Sequence, residues 1–379
     1  MLRKGLVVFQ FSISILLIGG TLAAYHQISY MRSTDLGVNI SQTLVIQAPI
    51  IAGDYQTYRS KWEVFKNELQ TNKGIKSVTA SNTVPGKDFD WNQEGIHRKG
   101  ANQESAVIYS MVEIDADYVP AYELQLVAGK NFEKPNGGGV LLNETAARNL
   151  GFASAEEAIG KRIVIPILGQ TQEVRGVLKD YHQKSLQYKH DPIIYAFRPA
   201  TKRFYSLKVD THNLSQTLAQ IEDSWKRIFP GNPLESFFLD DSFDEQYKAD
   251  RQFGYLITFF SALAILVACM GLFGLISFTV IGRTKEIGVR KVLGASVSSI
   301  FLILSKDFLK LIVIASVVAW PLAYWSISRW LQNYEYHIEV KLWLLVLPSV
   351  LVIVIAMLTI SFQTLKAAKT NPVKALKYE

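Results

Sequence analysis

Cysteine is almost absent from the chain, since Cys269 is the only one among 379 residues. A single thiol excludes an intrachain disulfide and any zinc or iron–sulfur site built from cysteines. Charged residues are scarce too, at 19% of the sequence, where a soluble domain has about a quarter. Hydrophobic residues make up 49%, so the composition excludes disorder and indicates a membrane protein.

Motifs for nucleotide binding and catalysis are missing as well. The glycine cluster at 137–139 is not followed by a lysine at P-loop spacing, and no G-x-G-x-x-G occurs. The sequence also lacks G-x-S-x-G and H-E-x-x-H. We therefore expect no ATP hydrolysis, no enzyme activity and no cofactor in this chain, and a membrane-anchored enzyme is the least favoured function.

Four long uncharged runs predict membrane-spanning helices. A helix of about 20 apolar residues crosses a bilayer, and Pro321 in the third run is tolerated there as a kink. We therefore predict an α-helical bundle of four transmembrane segments. The runs are residues 5–25, 253–281, 311–328 and 342–365.

Basic residues determine the predicted orientation, because cytoplasmic loops carry an excess of lysine and arginine. The excess occurs before the first run, between the second and third, and after the fourth. Both termini and the 2–3 link are therefore predicted to be cytoplasmic at the inner membrane, with residues 26–252 outside. The basic residues are Arg3, Lys4, Arg283, Lys285, Arg290, Lys291, Lys366, Lys369, Lys374 and Lys377.

The net charge of +7 is unevenly distributed. Residues 26–252 contain 26 basic and 28 acidic residues, which leaves 14 basic and 5 acidic residues for the rest of the chain. A nucleic-acid-binding domain would carry the basic excess itself, so no nucleic-acid partner is expected. The excess at the cytoplasmic face suits anionic membrane lipids.

The first run allows two interpretations. Arg3-Lys4, the apolar run and Thr21-Leu22-Ala23 are together compatible with a cleavable signal peptide. The apolar run is longer than a typical signal core, which favours a retained anchor. Both interpretations place residues 26–252 outside.

Residues 26–252 are predicted to form an α+β domain. Two strand–helix–strand patterns lie near its ends and are separated by a long insertion, as is typical of split βαβ folds. In the insertion, Asn143 follows a strand at 140–142 and caps a helix through Leu150, and residues 163–165 and 174–178 predict a hairpin. The flanking patterns are 43–46, 55–69 and 75–80, then 205–209, 214–228 and 235–239.

Few residues of this domain suggest chemistry. A group of acidic and histidine residues has a spacing that matches no established metal site, so no metal is expected. The aromatic residues can line an apolar binding surface, but ordinary core packing is favoured. The first group is Asp180, His182, His190 and Asp191, and the second includes Trp91, Tyr109, Tyr118 and Tyr122.

Charged residues also precede the third run, at Lys306, Asp307 and Lys310. Charges inside a membrane are costly and often functional. Placement at the inner interface, with the lysine side chains extended towards water, is nevertheless favoured.

The 2–3 link predicts a short amphipathic helix that ends at Gly294. Ile287, Val289 and Val292 are apolar and alternate with charged residues. Two explanations stay open at this point. The helix can be held by its charge at anionic lipid headgroups, or it can dock a cytoplasmic partner.

The same link carries a resemblance to a known family. R-T-K-E-I-G-V-R-K-V-L-G-A at 283–295 resembles the signature of FtsX-type permeases, the membrane subunits of ABC transporters related to the macrolide exporter MacB. Residues 371–376 are similar to the tail motif of these permeases. Residues 127–132, 142–147 and 176–182 resemble the MacB-type external domain. The resemblance covers nearly the whole chain, and its cytoplasmic part is the most specific.

The resemblance implies a four-helix bundle with an α+β domain of MacB periplasmic-core type inserted between the first two helices. In that family the 2–3 link contains a coupling helix, which contacts a separate cytoplasmic ABC ATPase that binds ATP. The residues that correspond to this coupling segment are Arg283, Thr284, Lys285, Glu286, Ile287, Gly288, Val289, Arg290, Lys291, Leu293 and Gly294.

The resemblance also implies a function and partners. We expect a permease subunit that transmits ATP-driven conformational change to the external domain for export, or an FtsX-like regulator that controls an envelope enzyme or sensor. Expected partners are the ATPase, a second permease half or second copy, and a periplasmic adaptor or outer-membrane protein. MacB differs in carrying its ATPase before the first helix. Some relatives contain two four-helix units in tandem, and this chain resembles the second unit alone, so it is expected to be either a natural half-subunit or a truncated tandem permease.

The expected division of the chain follows from these predictions. Residues 1–25 are the start and first span, 26–252 the external domain, 253–281 the second span, 282–307 the coupling link, 308–328 the third span, 329–341 an external loop, 342–365 the fourth span and 366–379 the tail.

Overall fold

The computed structural model describes residues 2–51, 53–101, 107–133, 138–168, 170–282, 286, 289–290, 293 and 296–368. These residues form two compact units. One is Thr34–Lys248, and the other combines Met1–Ser33 with Ala249–Glu379. The first unit contains a mixed β-sheet and the second consists of long apolar helices.

The elements are numbered in chain order. The helices are α1 (Leu2–Ser33), α2 (Tyr55–Thr71), α3 (Tyr118–Ala121), α4 (Glu144–Asn149), α5 (Ala155–Ala158), α6 (Leu214–Ile228), α7 (Leu239–Glu245), α8 (Lys248–Gly282), α9 (Val297–Leu331) and α10 (Trp343–Ala368). The strands are β1 (Thr43–Gln47), β2 (Ile75–Ser81), β3 (Asn92–Gln93), β4 (His97–Arg98), β5 (Tyr109–Ile114), β6 (Leu126–Gly129), β7 (Val140–Asn143), β8 (Arg162–Ile165), β9 (Gln170–Leu178), β10 (Ile193–Phe197), β11 (Phe204–Val209) and β12 (Ser236–Phe238).

The four predicted spans are confirmed as apolar helices long enough to cross a membrane. The shortest apolar stretch, Trp343–Thr364, has 22 residues, which at about 1.5 Å per residue exceeds the roughly 30 Å of a hydrocarbon core. Two helices extend beyond the apolar runs. α1 continues to Ser33, and α9 begins at Val297, where the Ser296 hydroxyl accepts a hydrogen bond from the Ser299 amide. Such an N-cap starts a helix whatever the hydropathy of the residues that follow.

Small and polar residues hold the helical unit together. The Ser12 hydroxyl on α1 donates to the Ala315 carbonyl on α9 at 3.2 Å, and the Thr21 and Ser261 hydroxyls lie 2.8 Å apart between α1 and α8. The Gln363 side chain of α10 donates to Ser277 of α8 at 3.1 Å. Lipid tails are as apolar as leucine, so helices in a membrane associate through such contacts rather than through the hydrophobic effect. α8 is the least buried of the four spans.

The ends of the sheet unit confirm the predicted split βαβ architecture. β1 and β2 both pair with β11, antiparallel to it, and α2 connects them. In the same way β11 and β12 both pair with β1, and α6 connects them. The sheet therefore begins in the order β12-β1-β11-β2.

Aromatic residues fill the core between this sheet and its two helices. Trp62 of α2 stacks on Tyr205 of β11 with ring centroids 4.0 Å apart. Phe65 of α2 contacts Trp225 of α6 edge-on at 5.6 Å. Helical spacing places these apolar residues on one face of each helix, and burying each large side chain contributes about 1.5–3 kcal/mol.

The insertion extends the same sheet through β5, β10, β7, β9 and β8 to β4. The predicted hairpin is confirmed as the antiparallel pair β8–β9. The predicted cap is confirmed as well, because the Asn143 side chain accepts from the Ala146 amide of α4 at 2.9 Å. The same oxygen accepts from the Ile193 amide of β10, so one residue joins strand, helix and neighbouring strand.

A buried ion pair connects the two parts of the sheet unit. The Lys66 ammonium on α2 lies 2.5 Å from Asp115 and 2.6 Å from Asp117, which follow β5. The Thr79 hydroxyl of β2 also donates to Asp115. Burial raises the pKa of the Asp115 carboxyl, and the Lys66 charge opposes that rise. The split βαβ part and the insertion are therefore joined by charge as well as by β2–β5 pairing.

We expect Lys66→Met to destabilise the protein by about 3–5 kcal/mol, because it leaves the negative charge of Asp115 buried without the opposite charge of Lys66. Thermal unfolding of the full chain in detergent measures the effect. Arg59→Met on the same helix is the matched control, since Arg59 and Glu63 form an exposed ion pair worth below about 1 kcal/mol. Equal melting temperatures for the two variants would contradict this role of Lys66.

Candidate functional site

The predicted coupling segment is partly described. Of its eleven residues, Glu286, Val289 and Arg290 are α-helical and Leu293 lies in a turn. The Leu293 amide donates to the Val289 carbonyl at 3.0 Å, which continues the helical hydrogen-bond pattern. The remaining predictions lie outside the described residues: Arg283, Thr284, Lys285, Ile287, Gly288, Lys291 and Gly294.

The four described residues lie on one helical face. At 100° per residue, positions 286, 289, 290 and 293 fall within an arc of roughly 100°. The Arg290 guanidinium lies 2.9 Å from the Glu286 carboxylate, one turn away. Val289 and Leu293 are exposed, with relative accessibilities of 49% and 80%. This face therefore presents an apolar pair beside an ion pair.

The charged residues on the other side of the link lie within α9. Lys306 and Lys310 are exposed and Asp307 is half-buried, while Phe308 between them packs in the bundle core. The placement of these charges at the inner interface stays a prediction.

The residues considered as metal ligands are only partly brought together. The His182 and His190 rings lie 4.4 Å apart. The Asp180 carboxylate instead accepts hydrogen bonds from the Thr145 amide and hydroxyl at 3.0 and 2.7 Å and pairs with Arg148. In the described part of the chain, no three histidine, cysteine or acidic side chains are grouped as metal ligands would be.

The aromatic candidates are confirmed as core residues. Tyr109, Tyr118 and Tyr122 are fully buried among other apolar side chains, and Trp91 packs against the same core as Tyr109. They do not line an exposed binding surface.

The segment that follows α1 is anchored to the sheet unit by side chains that sequence patterns did not identify. The Lys208 ammonium of β11 donates to the Asn39 and Ser41 carbonyls, each at 2.9 Å. Burial lowers the pKa of Lys208 to about 8. The His182 amide donates to the Leu36 carbonyl at 2.8 Å. The sequence signal for this anchor is a lysine within a largely apolar strand.

The segment that leads into α8 is anchored in a similar way. The Gln246 amide group accepts from the Ser185 amide at 2.8 Å and donates to the Gly86 carbonyl at 3.0 Å. Tyr247 is buried, and its hydroxyl accepts from the Leu186 amide. α8 begins at the next residue, Lys248, so no free linker separates these contacts from the helix.

His182 predicts a pH dependence of stability. Burial, helped by the neighbouring His190, lowers the pKa of His182 from 6.5 to about 4, and the Asp180 and Asp35 charges oppose this shift. Between pH 6.5 and about pH 4, His182 is therefore mostly protonated in the unfolded chain and mostly neutral in the folded chain. The corresponding stability is complete above pH 6.5 and is lost as the pH falls towards 4.

We expect His182→Gln to reduce the fall in melting temperature between pH 7 and pH 4.5, as measured by thermal unfolding of the full chain. His212→Gln, at an exposed position, serves as the control and leaves the pH profile unchanged. A profile that is identical in the wild type and in His182→Gln would contradict the prediction.

Known proteins are similar to parts of this chain. Residues 258–372 match the FtsX-like permease C-terminal family. A search of curated proteins found no match. Among solved structures, the periplasmic region of MacB from Actinobacillus actinomycetemcomitans is similar at 16% identity and TM-score 0.38, covering 56% of this chain and 94% of its own. A domain described as belonging to a permease protein from Porphyromonas gingivalis is similar at 12% identity and TM-score 0.35, covering 52% of this chain and 87% of its own.

The family match includes the segment 283–294 and the apolar helices on both sides of it. It confirms the family resemblance drawn from the sequence. Residues 258–372 of this chain are therefore of the FtsX-like permease C-terminal type.

Proposed function

We propose that this chain is the transmembrane permease subunit of an ABC-type complex. It transmits conformational change from a separate cytoplasmic ATPase to its external domain and thereby drives export of a substrate. The observation that carries the proposal is the FtsX-like permease match over residues 258–372, which includes the coupling segment.

The distribution of charge supports the orientation that this function needs. The residues outside 26–252 carry nine more basic than acidic residues, and most of the basic ones lie at the start of α1, between α8 and α9, and at or after the end of α10. Both termini and the coupling segment then lie in the cytoplasm, where an ATPase can reach them, and the sheet unit lies outside.

The described face of the coupling segment has the chemistry of a docking surface. Val289 and Leu293 offer exposed apolar area, and the Glu286–Arg290 pair beside them can exchange partners with charges on another protein. Docking helices commonly combine apolar anchors with flanking charge. Binding to lipid headgroups would need only the basic residues of the segment and would not need an exposed apolar pair.

The anchored connections favour a mechanical role. The chain after α1 is attached through Leu36, Asn39 and Ser41, and the chain before α8 through Gln246 and Tyr247. A displacement of either helix therefore acts on the sheet unit through hydrogen-bonded, partly buried contacts.

ATP chemistry belongs to a partner in this proposal. The sequence contains no P-loop, so the ATP-binding residues are supplied by the ATPase. A second permease half or a second copy of this chain completes the complex, and a periplasmic adaptor or outer-membrane protein is the expected external partner.

We expect Glu286→Arg to lower stimulation of the partner ATPase by about 10-fold, because it replaces attraction by repulsion at a charge-assisted contact. ATPase rate and co-purification of the detergent-solubilised complex are the measurements. Glu222→Arg is the matched control, since Glu222 and Lys226 form the same exposed one-turn ion pair on α6. Normal stimulation in Glu286→Arg would contradict the docking role.

A regulator of an envelope enzyme or sensor is the second candidate. The cavity bounded by α1, α8 and α10 near Cys269 measures only about 10 Å³, about the smallest volume that holds one water molecule. A mechanism in which no cargo passes between these helices suits a regulator. It suits equally an exporter that acts on its substrate through the external domain.

Efflux of labelled compounds separates the two functions. If the chain exports, deleting it raises accumulation of a substrate, and Glu286→Arg has the same effect while Glu222→Arg does not. Unchanged accumulation over a panel of peptides, macrolides and lipid-linked compounds, together with altered activity of an envelope hydrolase, would favour the regulator.

A further inference from the structure

A second site lies in the insertion, apart from the coupling segment. An open cleft of about 660 Å³ is formed by the end of β4, the start of β8 and the turn before α5. We call it the basic cleft, and its charged lining residues are Arg98, Lys99, Glu157, Lys161 and Arg162. This volume is within the range of small-molecule binding sites.

Two similar short sequences face each other across this cleft. One is Arg98-Lys99-Gly100, and the other is Gly160-Lys161-Arg162, the same three residue types in reverse order. β4 and β8 pair antiparallel, with Arg98 opposite Ile163, and the Lys99 amide donates to the Arg162 carbonyl at 2.9 Å. The antiparallel register therefore brings four cations together that are about sixty positions apart in sequence.

Arg98 is held in position by its surroundings. Its guanidinium lies 5.2 Å from the centroid of the Phe152 ring, which is buried. It also lies against Gly151, where a Cβ atom would be 3.3 Å from Nη2. A guanidinium fixed against a ring and a backbone loses less entropy when it binds an anion than a free side chain does.

The charges of the basic cleft are poorly compensated. Among the described residues that line the cleft, Glu157 alone has a carboxylate; it lies 3.9 Å from Arg98 and already accepts a hydrogen bond from the Ala153 amide at 2.7 Å. Among the described residues, Lys99, Lys161 and Arg162 form no ion pair. By contrast, Lys226 and Arg227, which are adjacent in the sequence of α6, form ion pairs with Glu222 and Glu68, respectively.

This concentration of charge is local. Residues 26–252 as a whole carry two more acidic than basic residues, yet the basic cleft has a net charge of +3. Like charges held in one cleft repel each other, and a bound anion removes that repulsion. Gly100 and Gly160 leave the rim open, since a Cβ at either would meet no atom within 4 Å.

We propose that the basic cleft binds a ligand that carries more than one phosphate group. Two guanidinium and two ammonium groups match phosphate oxygens, because arginine binds phosphate through two parallel hydrogen bonds and lysine binds it as a point charge. The ligand is either a soluble phosphorylated compound or the headgroup of a phosphorylated lipid. The proposal does not depend on ATPase coupling.

Binding of tripolyphosphate to the full chain in phosphatidylcholine nanodiscs tests the proposal by calorimetry, with sodium sulfate at equal ionic strength as the reference. We expect Lys161→Glu combined with Arg162→Glu to weaken binding by at least about 10-fold, because two charge-assisted contacts are lost. The matched control combines Lys226→Glu with Arg227→Glu, which reverses the same two charges outside the cleft and is expected to change affinity less than about twofold. Melting temperatures verify that both variants are folded.

A second arm identifies the source of the phosphate. Nanodisc protein is mixed with phosphatidylcholine vesicles that contain or lack cardiolipin, a lipid whose headgroup carries two phosphate groups. Binding of tripolyphosphate that depends on the cleft assigns the site to a soluble ligand, and cleft-dependent binding to cardiolipin vesicles alone assigns it to a lipid headgroup. Failure of the wild type to bind either probe, or equal losses in both double variants, would overturn the proposal. Neither result affects the proposed ATPase coupling.

Discussion

The interior of a bilayer offers no hydrogen-bond partner to a polar group, and the helical unit is organised by this constraint. Hydroxyls such as those of Ser316 and Thr364 donate to carbonyls one turn earlier in their own helices. Others connect different helices, as Thr21 does with Ser261. Since apolar surfaces gain little from leaving lipid for each other, these links and small side chains hold α8 in the bundle. α8 is nevertheless the least buried of the four spans.

The sheet unit is held together by polar contacts between distant parts of its chain. The Lys66–Asp115 ion pair joins the split βαβ part to the insertion, and Lys208 and Gln246 anchor the chain near its two ends. Of these contacts the Lys66–Asp115 pair is buried, so breaking it leaves a charge without water, whereas the contacts of Lys208 and Gln246 are partly buried.

Charge has two different uses in this protein. The basic excess outside residues 26–252 is spread over the termini and short connections and predicts the orientation in the membrane, with Glu286 and Arg290 adding a specific pair. In residues 26–252 the overall balance is slightly acidic, and the basic cleft stands out because its described lining combines four cations with one carboxylate. The composition does not reveal such a cleft, because acidic residues elsewhere among residues 26–252 offset its positive charge in the total.

The sequence by itself determined the four apolar helices, the split βαβ pattern and the Asn143 cap, because hydropathy, periodicity and capping are local signals. It also carried the FtsX-like resemblance of residues 258–372. It did not reveal the anchors or the basic cleft. Arg98 and Arg162 become neighbours only through the antiparallel pairing of β4 and β8, and Lys66 meets Asp115 only when α2 packs on β2, the strand that pairs with β5. These contacts join residues far apart in the chain, so only the tertiary structure decided them.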